Sequence, residues 1–183
     1  MSSQKLLVFA LSILSALLIC LNVALVVQNG RLKAIAKAPS PVIVPQVGTK
    51  FPKLDGAALD GSRLILPFGT DNRKTLLLIF STTCRVCDQN WSAWQSVVRS
   101  IVGRPYRVVY ANIHSLLTYP YVIRHNFTDG IVFAEIDPRI SIELHLEVTP
   151  LSILLAPDGT VENVWPGLLE GGDLAEVTRV LSH

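Results

Sequence analysis

Residues 76–91 read LLLIFSTTCRVCDQNW, and this stretch decides the fold class. Residues 76–80 form a continuous apolar run, which is typical of a strand buried on both faces of an α/β sheet. Beyond the two cysteines, apolar side chains recur at spacings of three and four, as in a helix with one apolar face, at Trp91, Trp94, Val98 and Ile101. Cys84 and Cys87 therefore lie where a strand gives way to a helix.

The rest of the chain indicates an α/β fold with a mixed central sheet flanked by helices. From residue 106 onward, predicted strands alternate with predicted helices. The last two strands are joined by the turn Pro157-Asp158-Gly159 and are predicted to form an antiparallel hairpin. The predicted strands cover residues 106–113, 131–136, 151–156 and 161–165, and the predicted helices cover 116–127, 141–146 and 168–181.

A small hairpin is predicted ahead of this sheet, over residues 47–66. Short apolar pieces alternate there with turn signals at Asp55-Gly56 and Asp60-Gly61. We expect this hairpin to lie over the main sheet as an N-terminal extension.

The amino-terminal part of the chain is strongly apolar. Residues 6–27 read LLVFALSILSALLICLNVALVV, which as a helix would reach roughly 33 Å, enough to cross a bilayer. A cleaved signal peptide is the alternative, but its apolar core usually has only about 7–15 residues. We therefore predict an uncleaved transmembrane anchor over residues 1–30, with Cys20 as an apolar filler of the span.

Residues 31–45 are predicted to be an extended tether, because the three prolines in AKAPSPVIVP disfavour both helix and central strand. The globular domain is then predicted over residues 46–183.

Lys5 precedes the apolar run, and three cations follow it, so charge counting alone mildly favours a cytoplasmic domain. The three cations are Arg31, Lys33 and Lys37.

Composition excludes several classes of protein. The net charge is only +2 and no basic run follows the anchor, so nothing points to nucleic acid. Three cysteines are too few for a disulfide-stapled scaffold. Two cysteines spaced C-x-x-C instead indicate redox chemistry or half of a metal site.

Cys84 is the candidate nucleophile. A cysteine in the first turn of a helix has its thiolate stabilised by unpaired backbone N–H groups and by the helix dipole. The positive charge of Arg85 should favour the thiolate further. Cys87, one turn later, would lie deeper beside the first sulfur and is the candidate resolving cysteine, so the pair is predicted to form a redox-active disulfide.

A zinc site is the alternative interpretation of the two cysteines, and it requires a second pair of ligands. The histidines are scattered singly, without H-x-x-x-H spacing, and are interpreted as ordinary surface or partly buried residues: His114, His125, His145 and His183. We therefore predict no metal site.

The segment FSTTCRVC at 80–87, the VTP at 148–150 and the PDG turn resemble one family. They are similar to the membrane-anchored thioredoxin-like thiol–disulfide oxidoreductases of the TlpA/ResA/MauD group. The resemblance implies a thioredoxin-like fold and exchange on protein substrates with no further cofactor. It also implies a cis peptide at Thr149–Pro150 that faces the cysteines and pairs with an extended substrate.

The same resemblance implies where the domain works. That group lies on the outer face of the bacterial cytoplasmic membrane, held by a single helix, and this outweighs the charge count in our prediction of an extracytoplasmic, periplasmic domain. The predicted anchor also suggests a membrane-embedded redox partner. The same residues fit maturation of a periplasmic enzyme or cytochrome and general disulfide quality control equally well.

Some residues depart from the pattern of the family. Leu78 stands where thioredoxins carry a buried acid, and Asn90 stands where ResA-like proteins place a glutamate, so no proton acceptor for Cys87 is evident. Asp88 and Glu147 are interpreted as surface charges. In the motif itself, Phe80 replaces the usual tryptophan, Thr83 replaces an aromatic residue and Val86 replaces a proline.

Two other functions remain alternatives. A copper metallochaperone of the same fold would use two thiolates and a histidine, but such proteins space their cysteines C-x-x-x-C. A redox-inactive binding module would keep the fold as a scaffold with vestigial cysteines.

Overall fold

The structure is a computed structural model that describes residues 13–15, 17–26, 28, 43–114, 116–127 and 130–182. The contacts within the chain divide it between Val42 and Ile43, and the two parts are described separately. In the first part, the described residues are helical and exposed, and Cys20 is a free cysteine. No helix within the described residues is both long and apolar enough to cross a membrane. The span predicted over residues 6–27 and the tether over 31–45 fall partly outside the described residues, and both stay predictions.

The second part is built on a five-stranded mixed sheet with the strand order β5-β4-β3-β7-β8. β5, β4 and β3 are parallel, whereas β7 runs antiparallel to β3 and pairs with β8 in an antiparallel hairpin. This confirms the predicted mixed α/β sheet and its closing hairpin. The strands are β3 (Lys74–Phe80), β4 (Tyr106–Asn112), β5 (Ile131–Phe133), β7 (Leu151–Leu155) and β8 (Val161–Pro166).

A second, three-stranded sheet consists of β1 at Lys53–Ala57, β2 at Arg63–Pro67 and β6 at Glu135–Ile136, in the order β2-β1-β6. The predicted N-terminal hairpin is therefore confirmed. The prediction of a turn at Asp55-Gly56 was wrong, because both residues lie within β1. A Cβ atom at Gly56 would overlap the carbonyl oxygen of Glu135, so glycine is needed for the close approach of β6.

The strand predicted over residues 131–136 was wrong as one element, because it is divided between the two sheets. β5 ends at Phe133, and Glu135–Ile136 forms β6 beside β1. Between them, the Ala134 amide donates a hydrogen bond to the Ala57 carbonyl at 2.8 Å. Ala134 therefore marks the point at which the chain crosses from the main sheet to the small one.

The helices are α1 (Arg85–Ile101), α2 (Tyr119–His125), α3 (Pro138–Glu143) and α4 (Gly171–Leu181). α2 to α4 differ from the predicted bounds, and capping hydrogen bonds are present at the end of α2 and at the start of α3. Asn126 ends α2 in the left-handed conformation, with its amide bonded to the Val122 carbonyl. The Asp137 carboxylate caps the start of α3 by accepting a hydrogen bond from the Arg139 amide. Leu169 precedes α4, and its amide donates a hydrogen bond to Asn90 Oδ1 on α1.

The core consists of two layers, one on each face of the main sheet. On one face, α1 and α4 cover alternate residues of β3 that include Leu76 and Leu78. On the other face, the small sheet and α3 cover Leu77 and Ile79. β3 is thus buried on both sides, as its continuous apolar run predicts, and it delivers the following loop to one edge of the sheet.

Candidate functional site

The cysteine pair lies at the junction of β3 and α1. β3 ends at Phe80, and α1 begins at Arg85 with Cys84 as its N-cap residue. Cys84 and Cys87 form a disulfide, with 5.3 Å between their Cα atoms. The motif therefore lies at the strand-to-helix junction at which the sequence places it.

The two sulfurs differ in access and in hydrogen bonding. Cys84 is partly exposed, whereas Cys87 is completely buried. The Cys87 amide donates a hydrogen bond to Cys84 Sγ at 3.1 Å. A negative charge on Cys84 Sγ would accept this bond and face the positive end of the helix dipole. Solvent thus reaches the sulfur that the helix N-terminus can stabilise as an anion.

The segment Thr149–Pro150 lies beside this loop, and its peptide bond is cis. Ile79 pairs with Leu151 in the antiparallel register of β3 and β7, so Pro150 comes next to the end of β3. The buried Pro150 accepts a hydrogen bond from the Gly167 amide at 2.8 Å. The structure thus brings the predicted substrate-binding segment to the same edge of the sheet as Cys84.

Arg85 is the first residue of α1 and is exposed. Its position next to Cys84 fits the predicted influence on the thiolate, and that role stays a prediction.

At the two positions where the resemblance in sequence implies acids, this chain has Leu78 and Asn90. Leu78 is fully buried in the core. Asn90 is also buried, and its Oδ1 accepts a hydrogen bond from the Leu169 amide at 2.7 Å. Its Nδ2 has no hydrogen-bond partner among the described residues. Asn90 therefore anchors the loop before α4 to the helix that carries the cysteines.

Asp88, interpreted from the sequence as a surface charge, belongs to a cluster with Tyr121 and His125. Its half-exposed carboxylate accepts a hydrogen bond from the Tyr121 hydroxyl at 3.2 Å, and Oδ1 lies 3.1 Å from His125 Nε2. Burial and the neighbouring carboxylate raise the pKa of the Tyr121 hydroxyl. Sequence reasoning missed this cluster, and the spacing of Tyr121 and His125 on one helix face was the signal for it.

The His125 ring is buried against aromatic side chains. Its centroid lies 4.5 Å from that of Trp91 and 4.2 Å from that of Tyr121. Burial lowers the pKa of this imidazole, and the charge of Arg124 acts in the same direction, although the Asp88 carboxylate opposes both. His125 is therefore held neutral in the folded protein at neutral pH.

We expect the protein to lose stability as the pH falls from 8 to 5, in part because of His125. Its folded-state pKa is lower than its unfolded-state value of about 6.5, so the unfolded state binds more protons below that pH. Urea unfolding at both pH values should show a smaller loss for His125→Asn than for the unchanged protein. As a matched control, His145→Asn at an exposed histidine should keep the full loss. An equal loss in all three proteins would contradict the prediction.

Among the described residues, no group of three or more His, Cys, Asp or Glu side chains is placed to share one metal ion.

Comparisons with known proteins place the domain among thioredoxin-like folds. No protein-family model matches the sequence, and no curated protein matches it. The thioredoxin domain of a thiol–disulfide oxidoreductase from Bacteroides vulgatus has a TM-score of 0.58 at 14% identity, with 75% of this chain and 99% of that chain covered. DsbF from Mycobacterium tuberculosis has a TM-score of 0.58 at 17% identity, over 76% and 98% of the two chains.

A third solved structure is a thiol:disulfide interchange protein of the thioredoxin family from Chlorobium tepidum. Its TM-score is 0.57 at 16% identity, and the match covers 77% of this chain and 99% of that chain. These similarities confirm the predicted thioredoxin-like fold. The first of these structures belongs to a thiol–disulfide oxidoreductase and the third is a thiol:disulfide interchange protein, which is the class that the resemblance in sequence implies.

Proposed function

We propose that this domain carries out thiol–disulfide exchange on protein substrates through Cys84 and Cys87. One observation carries the proposal: a disulfide at the N-terminus of a helix has one accessible sulfur and one completely buried sulfur. An incoming group can reach Cys84, and Cys87 is placed to complete the reaction from inside. The fold shared with solved thiol–disulfide oxidoreductases supports the same function.

In the reducing direction, the reduced pair donates two electrons. The Cys84 thiolate attacks one sulfur of a substrate disulfide, forms a mixed disulfide and releases the other substrate sulfur as a thiolate. Cys87 then gives its proton to the released substrate thiolate or to solvent and attacks Cys84 Sγ. This step forms the Cys84–Cys87 disulfide and releases the second substrate thiolate.

In the oxidising direction, the same bonds form and break in reverse. A substrate thiolate attacks Cys84 Sγ, and Cys87 leaves as a thiolate. The second substrate thiolate then attacks the substrate sulfur of the mixed disulfide, and Cys84 leaves as a thiolate. The hydrogen bond from the Cys87 amide stabilises the charge that develops on Cys84.

The substrate lies along the segment Thr149–Pro150 in this proposal. The family resemblance assigns substrate contact to this segment, and the register of β7 on β3 places it beside the end of β3. A polypeptide substrate would bind there in extended form, by main-chain hydrogen bonds of the strand-addition type.

The proposed place of action is the extracytoplasmic, periplasmic side of the bacterial cytoplasmic membrane. The apolar run at residues 6–27 supports a single anchor helix, and the family resemblance supports the side. There the domain would act in the maturation of a periplasmic enzyme or cytochrome, with a membrane-embedded protein supplying or accepting electrons.

A redox titration of the full chain tests the exchange function. After equilibration in glutathione or dithiothreitol buffers, free thiols are alkylated and counted by mass. We expect one reversible two-electron transition between about −270 and −120 mV, the range spanned by reductants and oxidants of this fold. Cys84→Ser and Cys87→Ser should each remove the transition. A cysteine pair that never oxidises and reduces reversibly would refute the function.

A further inference from the structure

Apolar side chains are left exposed beside the accessible sulfur. Val86 lies between the two cysteines and is 41% exposed, whereas Leu116 and Tyr119 are 79% and 77% exposed. We call these three residues the apolar rim. Single exposed apolar residues are common on protein surfaces, but this group lies around the reactive end of the domain.

One contact places Leu116 beside the loop that carries Cys84, and Tyr119 follows three residues later as the first residue of α2. The Thr82 hydroxyl donates a long hydrogen bond to the Leu116 carbonyl, at 3.4 Å. Leu117 packs against the core cluster that contains Cys87, and Cys84 packs against the same cluster. Leu117 thus lies against the core, whereas its neighbour Leu116 is exposed.

The chemistry of exchange determines what covers this rim. A substrate sulfur must come within bonding distance of Cys84 Sγ, so the residues on either side of the substrate cysteine must lie over the surface around Cys84. Val86 and Leu116 belong to that surface. Apolar side chains of the substrate would remove the rim from water, whereas polar ones would lose hydration without gaining partners.

We propose that the apolar rim makes the exchange selective for polypeptides with apolar residues next to the reacting cysteine. This inference rests on the proposed exchange function and names its substrate class. Leu116 and Tyr119 act as specificity-determining residues that hold the substrate chain over Cys84.

Two synthetic peptides of equal length and charge provide the test, each used as a disulfide-linked dimer. The single cysteine is flanked by leucines in one peptide and by serines in the other. With the reduced full chain, peptide thiols released are measured over time, and we expect the leucine dimer to react about tenfold faster. A tenfold ratio corresponds to about 1.4 kcal/mol, slightly less than the usual gain from burying one apolar side chain completely.

Leu116→Ser and Tyr119→Ser should each reduce this ratio to about twofold or less. The matched control is Ile142→Ser on α3, where an isoleucine that is 59% exposed lies outside the rim. That variant should keep the tenfold ratio.

The outcomes separate the two proposals. Equal rates for both dimers with the unchanged protein overturn the selectivity and leave the exchange function standing. If neither the dimers nor dithiothreitol exchanges with the protein, the exchange function itself fails. A ratio retained in both rim variants, with an altered oligomeric state in light scattering, overturns the proposal in favour of self-association.

Discussion

Replacing Cys87 by serine is expected to halt the reaction at a covalent complex between Cys84 and its substrate. Cys87 is the completely buried sulfur one turn into α1, and its partner across the disulfide is Cys84. Without Cys87, an outside thiol must resolve the mixed disulfide. Turnover should then fall by a factor on the order of 10² or more, because a bimolecular attack replaces an intramolecular one.

The complex can be detected by non-reducing electrophoresis and mass spectrometry after mixing with a disulfide-linked peptide dimer. The added mass should equal one peptide and should disappear on treatment with dithiothreitol. Both variants carry Cys20→Ala, because Cys20 is an exposed free cysteine that could itself react with the dimer. Cys84→Ser is the matched control and should form almost no complex, because its remaining sulfur at Cys87 is inaccessible. Equal trapping by the two variants would contradict the assignment of Cys84 as the attacking residue.

The sequence predicted the junction that carries the site because its signals are local. A continuous apolar run predicts β3, and the spacing of Trp91 and Trp94 predicts α1 directly after it. The position of the cysteine pair follows from these two elements alone. In the same way, the turn at Asp158-Gly159 joins two strands that are neighbours in both sequence and space, and the predicted hairpin is confirmed.

Features that depend on distant residues could not be predicted from local patterns. Asp55-Gly56 has the composition of a turn, yet the approach of Glu135 from nearly eighty positions away makes it part of a strand. Likewise, the cluster of Asp88 with Tyr121 and His125 depends on how α2 packs against α1. The exposure of Leu116 is a tertiary property of the same kind, since its neighbour Leu117 is turned inward.

Trp94→Ala is expected to lower the free energy of unfolding by about 3–5 kcal/mol, the usual cost of removing a large buried aromatic side chain. Trp94 lies on the buried face of α1 and is completely excluded from solvent. Its ring meets that of Trp91 edge to face, with 5.5 Å between centroids. Its Nε1 donates a hydrogen bond to Ser152 Oγ on β7 at 2.8 Å. Domains of this size are stable by only about 5–15 kcal/mol, so this loss is a large fraction of the total.

Urea unfolding of the oxidised protein measures this effect, and two further variants identify its cause. Ser152→Ala removes the hydrogen bond but keeps the ring, and should cost only about 1–3 kcal/mol. Ser96→Ala, on the exposed face of the same helix, should change stability by less than about 0.5 kcal/mol. If Trp94→Ala costs no more than Ser152→Ala, the hydrogen bond rather than the packing of the indole holds α1 against the sheet. If Trp94→Ala costs clearly more than Ser152→Ala, the packing of the buried ring holds α1 against the sheet. The same packing then keeps Cys84 and Cys87, at the start of α1, at the sheet edge.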